Sequence, residues 1–275
     1  MKPKKQRMLK SLQVALCFGL LLAVLLSAVG CGWVYRKETK KLQDKGSTRF
    51  IAHRGLSGLA PENTAEAFLA AAQRSYFGIE ADLRKTADGK FVICHDDTLK
   101  KMANEDISIA GSTYETLMNV ALIDRQGQKN PNLHLCDLES YIGICKAYGK
   151  QAILEFKCSL TEQEIENILH IIEELDYLFG VTFISGQYQQ LLTVRQFSPE
   201  QEVQFVVRRV DDELLERLIA DQIDVAVRRS GVSASLIEKL HNAGRKINVW
   251  TVNGKFRANR LIDLGVDYIT TNILE

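Results

Sequence analysis

The chain has 275 residues, 25% of them charged and 46% apolar, the composition of an ordinary globular protein. Its net charge of +1 conceals an asymmetry: residues 1–47 hold ten of the 35 Lys/Arg and two of the 34 Asp/Glu, leaving 25 basic against 32 acidic side chains beyond them. An acidic main domain argues against nucleic-acid binding, which calls for a basic face.

The N-terminus accounts for the basic excess. After MKPKKQRMLK no charge occurs from Ser11 to Tyr35, a run dominated by Leu, Val and Ala. A helix needs about 20 such residues to cross the hydrocarbon core, whereas the apolar part of a signal peptide typically has about 7–15. The pattern predicts a basic flank at 1–11, a transmembrane anchor at 12–34 and a polar linker at 35–48, followed by one domain at 49–275. Cleavage as a secretory signal, or lipoprotein processing before Cys31, are the alternatives. Five Lys/Arg precede the span and five follow it closely, so flanking charge does not orient it. Its signal-anchor character places the protein in a cell membrane as a single-pass protein, with the domain on the extracytoplasmic side. Of six cysteines, none forms a CxxC pair, so zinc is not expected, and Cys94 in an apolar run reads as a small core residue.

From Phe50 onward short apolar runs alternate with helix-like segments, the signature of βα units and a parallel sheet. The expected strands are 50–54, 78–83, 91–95, 151–156, 181–185, 202–207, 224–228 and 246–252. Helical patterns lie at 64–75 (with Asn63 as its cap), 135–148, 161–175, 187–197, 211–220, 233–243 and 255–264. Eight strands in this length fit an α/β fold, a closed (β/α)8 TIM barrel, though an irregular one. Only RKTADGK separates the second and third runs, too short for a parallel crossover, and Ala87-Asp88-Gly89 reads as a turn. Residues 98–134 read as a long loop or small insertion over the barrel mouth.

The chemistry collects at strand ends, where such barrels keep their active sites. His53 and Arg54 end the first expected strand, and His95 ends the third. Glu80 and Asp82, two apart in a strand, share one face, as do Glu155 and Lys157. Three carboxylates from two strands suit one hard divalent cation, Ca²⁺ or Mg²⁺. Imidazoles, a guanidinium and paired carboxylates together suggest metal-assisted phosphoryl chemistry. Each piece alone has a structural reading; convergence distinguishes them, because so much buried charge is costly unless paired or metal-bound.

The ordered set HRG at 53–55, PENT at 61–64, E-x-D at 80–82, T-x-D-G at 86–89, HD at 95–96, E-x-K at 155–157 and WTVN at 250–253 resembles the glycerophosphodiester phosphodiesterase family, from about Arg49 to the C-terminus. The resemblance implies a TIM-barrel hydrolase that releases glycerol phosphate and an alcohol. It implies His53 and His95 as the general acid/base pair, Glu80, Asp82 and Glu155 as metal ligands, and Arg54 and Lys157 as phosphate contacts. Glu62 and Asn63 would support these from behind or cap the helix, and Trp250 would stack against the glycerol backbone or belong to the core. Which histidine is the base stays open, as does whether water or the substrate's own glycerol hydroxyl attacks. Lys100 and Lys101 read as a solvated loop, and His134, His170 and His241 belong to no constellation. Three departures from the family's usual pattern are KKMAN at 100–104, FISGQ at 183–187 and Asn272 in place of a frequent Asp. The expected substrate is thus a small glycerophosphodiester. Alternatives on the same fold are a lysophospholipid, a polymeric glycerol phosphate of the teichoic-acid type, or a catalytically silent, membrane-tethered binding protein.

Overall fold

The structure, a computed structural model, describes residues 38–275. The predicted anchor at 12–34 lies outside the described residues; among those described, no helix is long and apolar enough to cross a membrane. In chain order, β1 (Arg49–Ala52), α1 (Ala65–Ala72) and β2 (Gly78–Lys85) open the fold. An excursion follows, made of β3 (Phe91–Ile93), α2 (Lys100–Ala103), α3 (Tyr114–Met118) and β4 (Cys136–Asp137). Regular alternation then resumes through α4 (Leu138–Ala147), β5 (Gln151–Phe156), α5 (Glu162–Glu174), β6 (Val181–Ser185) and α6 (Tyr188–Phe197). It ends with β7 (Glu202–Val207), α7 (Asp212–Ala220), β8 (Asp224–Arg228), α8 (Ala234–Asn242), β9 (Ile247–Trp250), α9 (Lys255–Asp263) and β10 (Tyr268–Thr271).

The strands pair in the order β1-β10-β9-β8-β7-β6-β5-β2, all parallel, and β1 pairs with β2 to close the ring. This is the expected eight-stranded barrel, with one exchange of strands. The third expected strand is not a barrel stave: β3 runs antiparallel to β2, with Leu83 opposite Ile93, and pairs antiparallel with β4. The reason is the short link, which closes as a tight hairpin through Thr86 N–H to the Lys90 carbonyl and Gly89 N–H to that of Thr86. The eighth stave is instead β10, YITT, a segment without a long apolar run.

Residues 98–134 are not an open loop. Leu99, Met102, Ile109, Leu117, Leu122 and Leu133 pack with Val92 and Cys94 into a small core of their own. Helix starts are fixed by capping side chains: Thr161 and Glu164 form a capping box on α5, and Asp211 and Ser233 cap α7 and α8. On α1 the cap is Thr64, whose hydroxyl accepts from Ala67 N–H; the Asn63 expected there is used elsewhere. Ahead of β1, Lys40 and Leu42 donate to the carbonyls of Ile273 and Glu275, so this stretch of the linker is laid against the C-terminal tail.

Candidate active site

The HRG turn is set by backbone constraints. His53 N–H continues the barrel ladder to the Thr271 carbonyl, after which Arg54 (φ 54°) and Gly55 (φ 72°) reverse the chain. A Cβ at Gly55 would lie 2.6 Å from the Ala67 backbone of α1, so only glycine lets the turn sit on the helix. The bend aims the Arg54 N–H at Glu80 Oε2, 2.7 Å away. It also carries the guanidinium to Glu62 Oε1 (2.8 Å) and, as an ion pair without good hydrogen-bond alignment, to Asp82 Oδ2 (3.2 Å).

Glu80 and Asp82 alternate on β2, and Asp82 lies directly beside Glu155 of β5 in the parallel register. The three carboxylates bring one oxygen each within 4.8 Å of one another. Lys157 Nζ lies 2.9 Å from Glu155 Oε1 and 3.8 Å from Asp82 Oδ1. Asn63, fully buried with φ 57°, donates its amide to Asp82 Oδ2 (2.8 Å) and accepts from the Asp82 N–H. Glu80 Oε1 and Asp82 Oδ1 are nonetheless buried without a hydrogen-bond partner. Burial pushes the Glu80 carboxyl well up, helped by the charges of Asp82 and Glu155, and pushes Glu155 up to about 6. Burial acts on Asp82 too, but Arg54, Lys157 and His95 outweigh it and hold that carboxyl down. Orphaned buried oxygens in an all-carboxylate set fit a hard divalent cation, whose charge and coordination would satisfy both at once.

The two imidazoles meet the cluster from different elements. His95 leaves β3 where Cys94 N–H bonds the Asp82 carbonyl, and the Arg84 guanidinium grips the His95 carbonyl at 2.9 and 2.6 Å. Its Nδ1 donates to Asp96 Oδ1 across 2.7 Å, and that contact lowers the Asp96 carboxyl. His53 Nδ1 donates to Asn272 Oδ1 across 2.8 Å; burial first, then the Arg54 charge, lowers the ring to about 4. Both histidines therefore turn Nε2 away from their partners.

Of the residues singled out from sequence, His53, Arg54, Glu62, Asn63, Glu80, Asp82, His95, Glu155 and Lys157 come together here. Trp250 ends β9, its indole N–H donating to the Ala226 carbonyl of β8. Lys101 is not merely solvated: its ammonium meets Glu62 Oε1 at 2.7 Å, so Glu62 bridges it to Arg54. Asp96, Arg84 and Asn272 were not assigned roles from sequence, although the HD dipeptide contains the first and the C-terminal departure the last. His170 and His241 pair with Glu174 and Asp267, away from this cluster.

Known proteins are similar to this chain over most of its length. The glycerophosphodiester phosphodiesterase of Bacillus altitudinis is 26% identical over 231 residues, spanning 82% of this chain and 94% of the relative. A phosphodiesterase of Oleispira antarctica, solved in complex with the product sn-glycerol-3-phosphate, superimposes with a TM-score of 0.75 at 26% identity, covering 82% and 92% of the two chains. A glycerophosphodiester phosphodiesterase from Thermotoga maritima shares the fold with a TM-score of 0.64 at 23% identity, covering 82% and 94%. With residues 53–275 matching the family as a whole, and the motif residues gathered at one end of one barrel, the chain is a member of the glycerophosphoryl diester phosphodiesterase family.

Proposed function

We propose that the protein hydrolyses glycerophosphodiesters to glycerol phosphate and an alcohol, using one divalent cation, Ca²⁺ or Mg²⁺, held by Glu80, Asp82 and Glu155. The observation that carries the reading is the buried carboxylate triplet with two orphaned oxygens, flanked by Arg54, Lys157 and the two imidazoles. The cation supplies positive charge to phosphoryl oxygens whose negative charge grows in the transition state.

Arg54 pairs its Nη1 with Glu62 and its Nε with Asp82, a clamp that fixes the fork and leaves other N–H groups to bind the phosphodiester. Lys157, tied to Glu155, adds a second cation on the same face. His53 is assigned as the base. An amide oxygen accepts its Nδ1–H, so the lone pair sits on Nε2, and a ring lowered to about 4 is neutral at pH 7. It takes a proton from water or from the substrate's own glycerol hydroxyl as that oxygen attacks phosphorus. His95 is assigned as the acid: the Asp96 carboxylate orients the ring and faces the positive charge it carries when protonated, and Nε2–H passes to the departing alkoxide. Residues 12–34 tether the enzyme to the membrane with the barrel outside the cytoplasm; their uncharged run, rich in Leu, Val and Ala, supports the tether.

The test is phosphorus NMR of glycerophosphocholine and glycerophosphoethanolamine incubated with the purified protein and a divalent cation. Glycerol phosphate should accumulate, chelator should stop it, and His53→Ala should slow it by about 10²–10⁴-fold. Folded, metal-supplied protein inert toward every glycerophosphodiester would reject the reading. Fractionation followed by protease access to intact cells tests the tether and its sidedness.

A further inference from the structure

A cavity of about 280 Å³ opens beside the site, between the loop after β1 and the insertion. Its walls include Glu62, whose carboxylate pairs with the Arg54 guanidinium, so it adjoins the cluster. Met102 and Leu122, both buried in the insertion's own core, give it an apolar side. Four charged side chains line it: Glu62, Lys101, Asp124 and Arg125.

Each of the two acids has one oxygen committed. Glu62 Oε1 accepts from both Arg54 and Lys101, which keep its carboxyl low against the upward push of burial. Asp124 Oδ1 accepts the N–H groups of Gln126 and Gln128 inside its own turn. The cations are less committed. Lys101 has three N–H donors and gives one to Glu62. Arg125 is exposed on the rim and, among the described residues, its guanidinium makes no hydrogen bond or ion pair. Donors in excess over free acceptors, above an apolar floor, suit a short carbon chain that ends in an anion.

We propose that this cavity is the leaving-group subsite and that it favours alcohols carrying an anionic substituent, a phosphate or a carboxylate, bound by Arg125 with Lys101. The proposal rests on the phosphodiesterase reading, because it assigns the arm of the diester that departs. Attack at phosphorus breaks the bond to that alcohol, and the anion on it is not itself transformed. An exposed guanidinium contact is screened by salt, so the preference weakens as ionic strength rises.

The experiment compares three substrates with the full-length, metal-supplied enzyme: glycerophosphoglycerol, the same diester bearing a terminal phosphate, and the same bearing a carboxylate (a glycerophosphoglycerate). The ratio of kcat/KM for each anionic substrate over the neutral one should be about five- to tenfold, carried mainly in KM, and should fall toward one in Arg125→Ala and in 0.5 M salt. A larger ratio for the phosphate arm than for the carboxylate arm assigns the subsite to a second phosphate, and the reverse assigns it to a carboxylate. Neutral substrate turned over with no anionic preference, or a preference that persists in Arg125→Ala, overturns the subsite while leaving the phosphodiesterase reading intact. Calorimetry of the same compounds with a His53→Asn/His95→Asn protein reads the subsite without turnover. Tighter anionic binding that is lost with Arg125→Ala sustains it, and equal binding overturns it, even where no diester is hydrolysed.

Discussion

His53 gives its Nδ1–H to the amide oxygen of Asn272 across 2.8 Å, a neutral partner for a ring that burial and Arg54 have lowered to about 4. Asn272→Asp would place a carboxylate against the same nitrogen and favour the imidazolium, raising the ring's pKa. The acid limb of kcat/KM against pH should move upward by roughly one unit or more, costing activity near pH 5 far more than near pH 8. An unmoved limb would remove His53 from the role of base. Asn63 gives a second test. Its amide serves the buried Asp82 carboxylate, and its backbone sits at φ 57°. Asn63→Ala removes the amide but keeps a Cβ in the left-handed region, whereas Asn63→Gly removes both and adopts that backbone freely. Thermal denaturation should therefore place the alanine variant about 1 kcal/mol below the glycine variant. The Glu80/Asp82 and Glu155/Lys157 pairs were legible in sequence because period two in a strand is local geometry. Asn272 was not, because it lies 219 residues from His53 and no local pattern joins them. Lys101 was missed for the same reason, its partner Glu62 being 39 residues away.

At the scale of elements, the βα alternation after residue 135 could be read almost to the residue, since its amphipathic helices and capped starts are local signals. The exchange of staves was less accessible. An apolar run such as FVIC does not say whether its neighbour runs parallel or antiparallel, and only the seven-residue link carried that information. Conversely, β10 is four residues with two threonines, and its place between β1 and β9 depends on closure of the whole ring. The β3 ribbon matters because it is what delivers His95 from outside the barrel wall. Its support is the insertion core, in which Leu117 is fully buried. Leu117→Ala should cost the insertion about 2–5 kcal/mol locally. Hydrogen exchange should then show lost protection across 98–134 with β5 to β9 unaffected, and kcat should fall more than tenfold as His95 loses its fixed place. A loss of protection spread evenly over the barrel would mean that the insertion is not a separate unit.

Closure of the barrel concentrates Glu62, Glu80, Asp82 and Glu155 against Arg54, Lys101 and Lys157, an excess of one negative charge that a proton or a cation can resolve. Without a cation the proton does so. Glu155 binds it up to about pH 6, against 4.5 for an ordinary glutamate, and Glu80 is raised further. Folded carboxyls that hold protons more tightly than the unfolded chain contribute stability below pH 4.5 that is lost as pH rises through 6. His53 acts in the opposite sense: between 6.5 and about 4 the unfolded chain gains a proton that the folded ring resists, so its share of stability falls as pH falls. At pH 7 the histidine is neutral in both states and the repulsion between Asp82 and Glu155 remains. Added Ca²⁺ or Mg²⁺ at about 100 times its Kd should then stabilise by about 2.7 kcal/mol, a Tm rise on the order of 5–10 °C. At pH 5 protons compete for the same oxygens, so the rise should shrink, and binding at pH 6 should release protons measurable by calorimetry in buffers of different ionisation enthalpy. Glu155→Gln separates charge from shape. It keeps the packing and relieves the repulsion, so the metal-free variant should melt at or above the parent at pH 7 while losing the cation-induced rise. A full rise in that variant would place the ion away from the triplet.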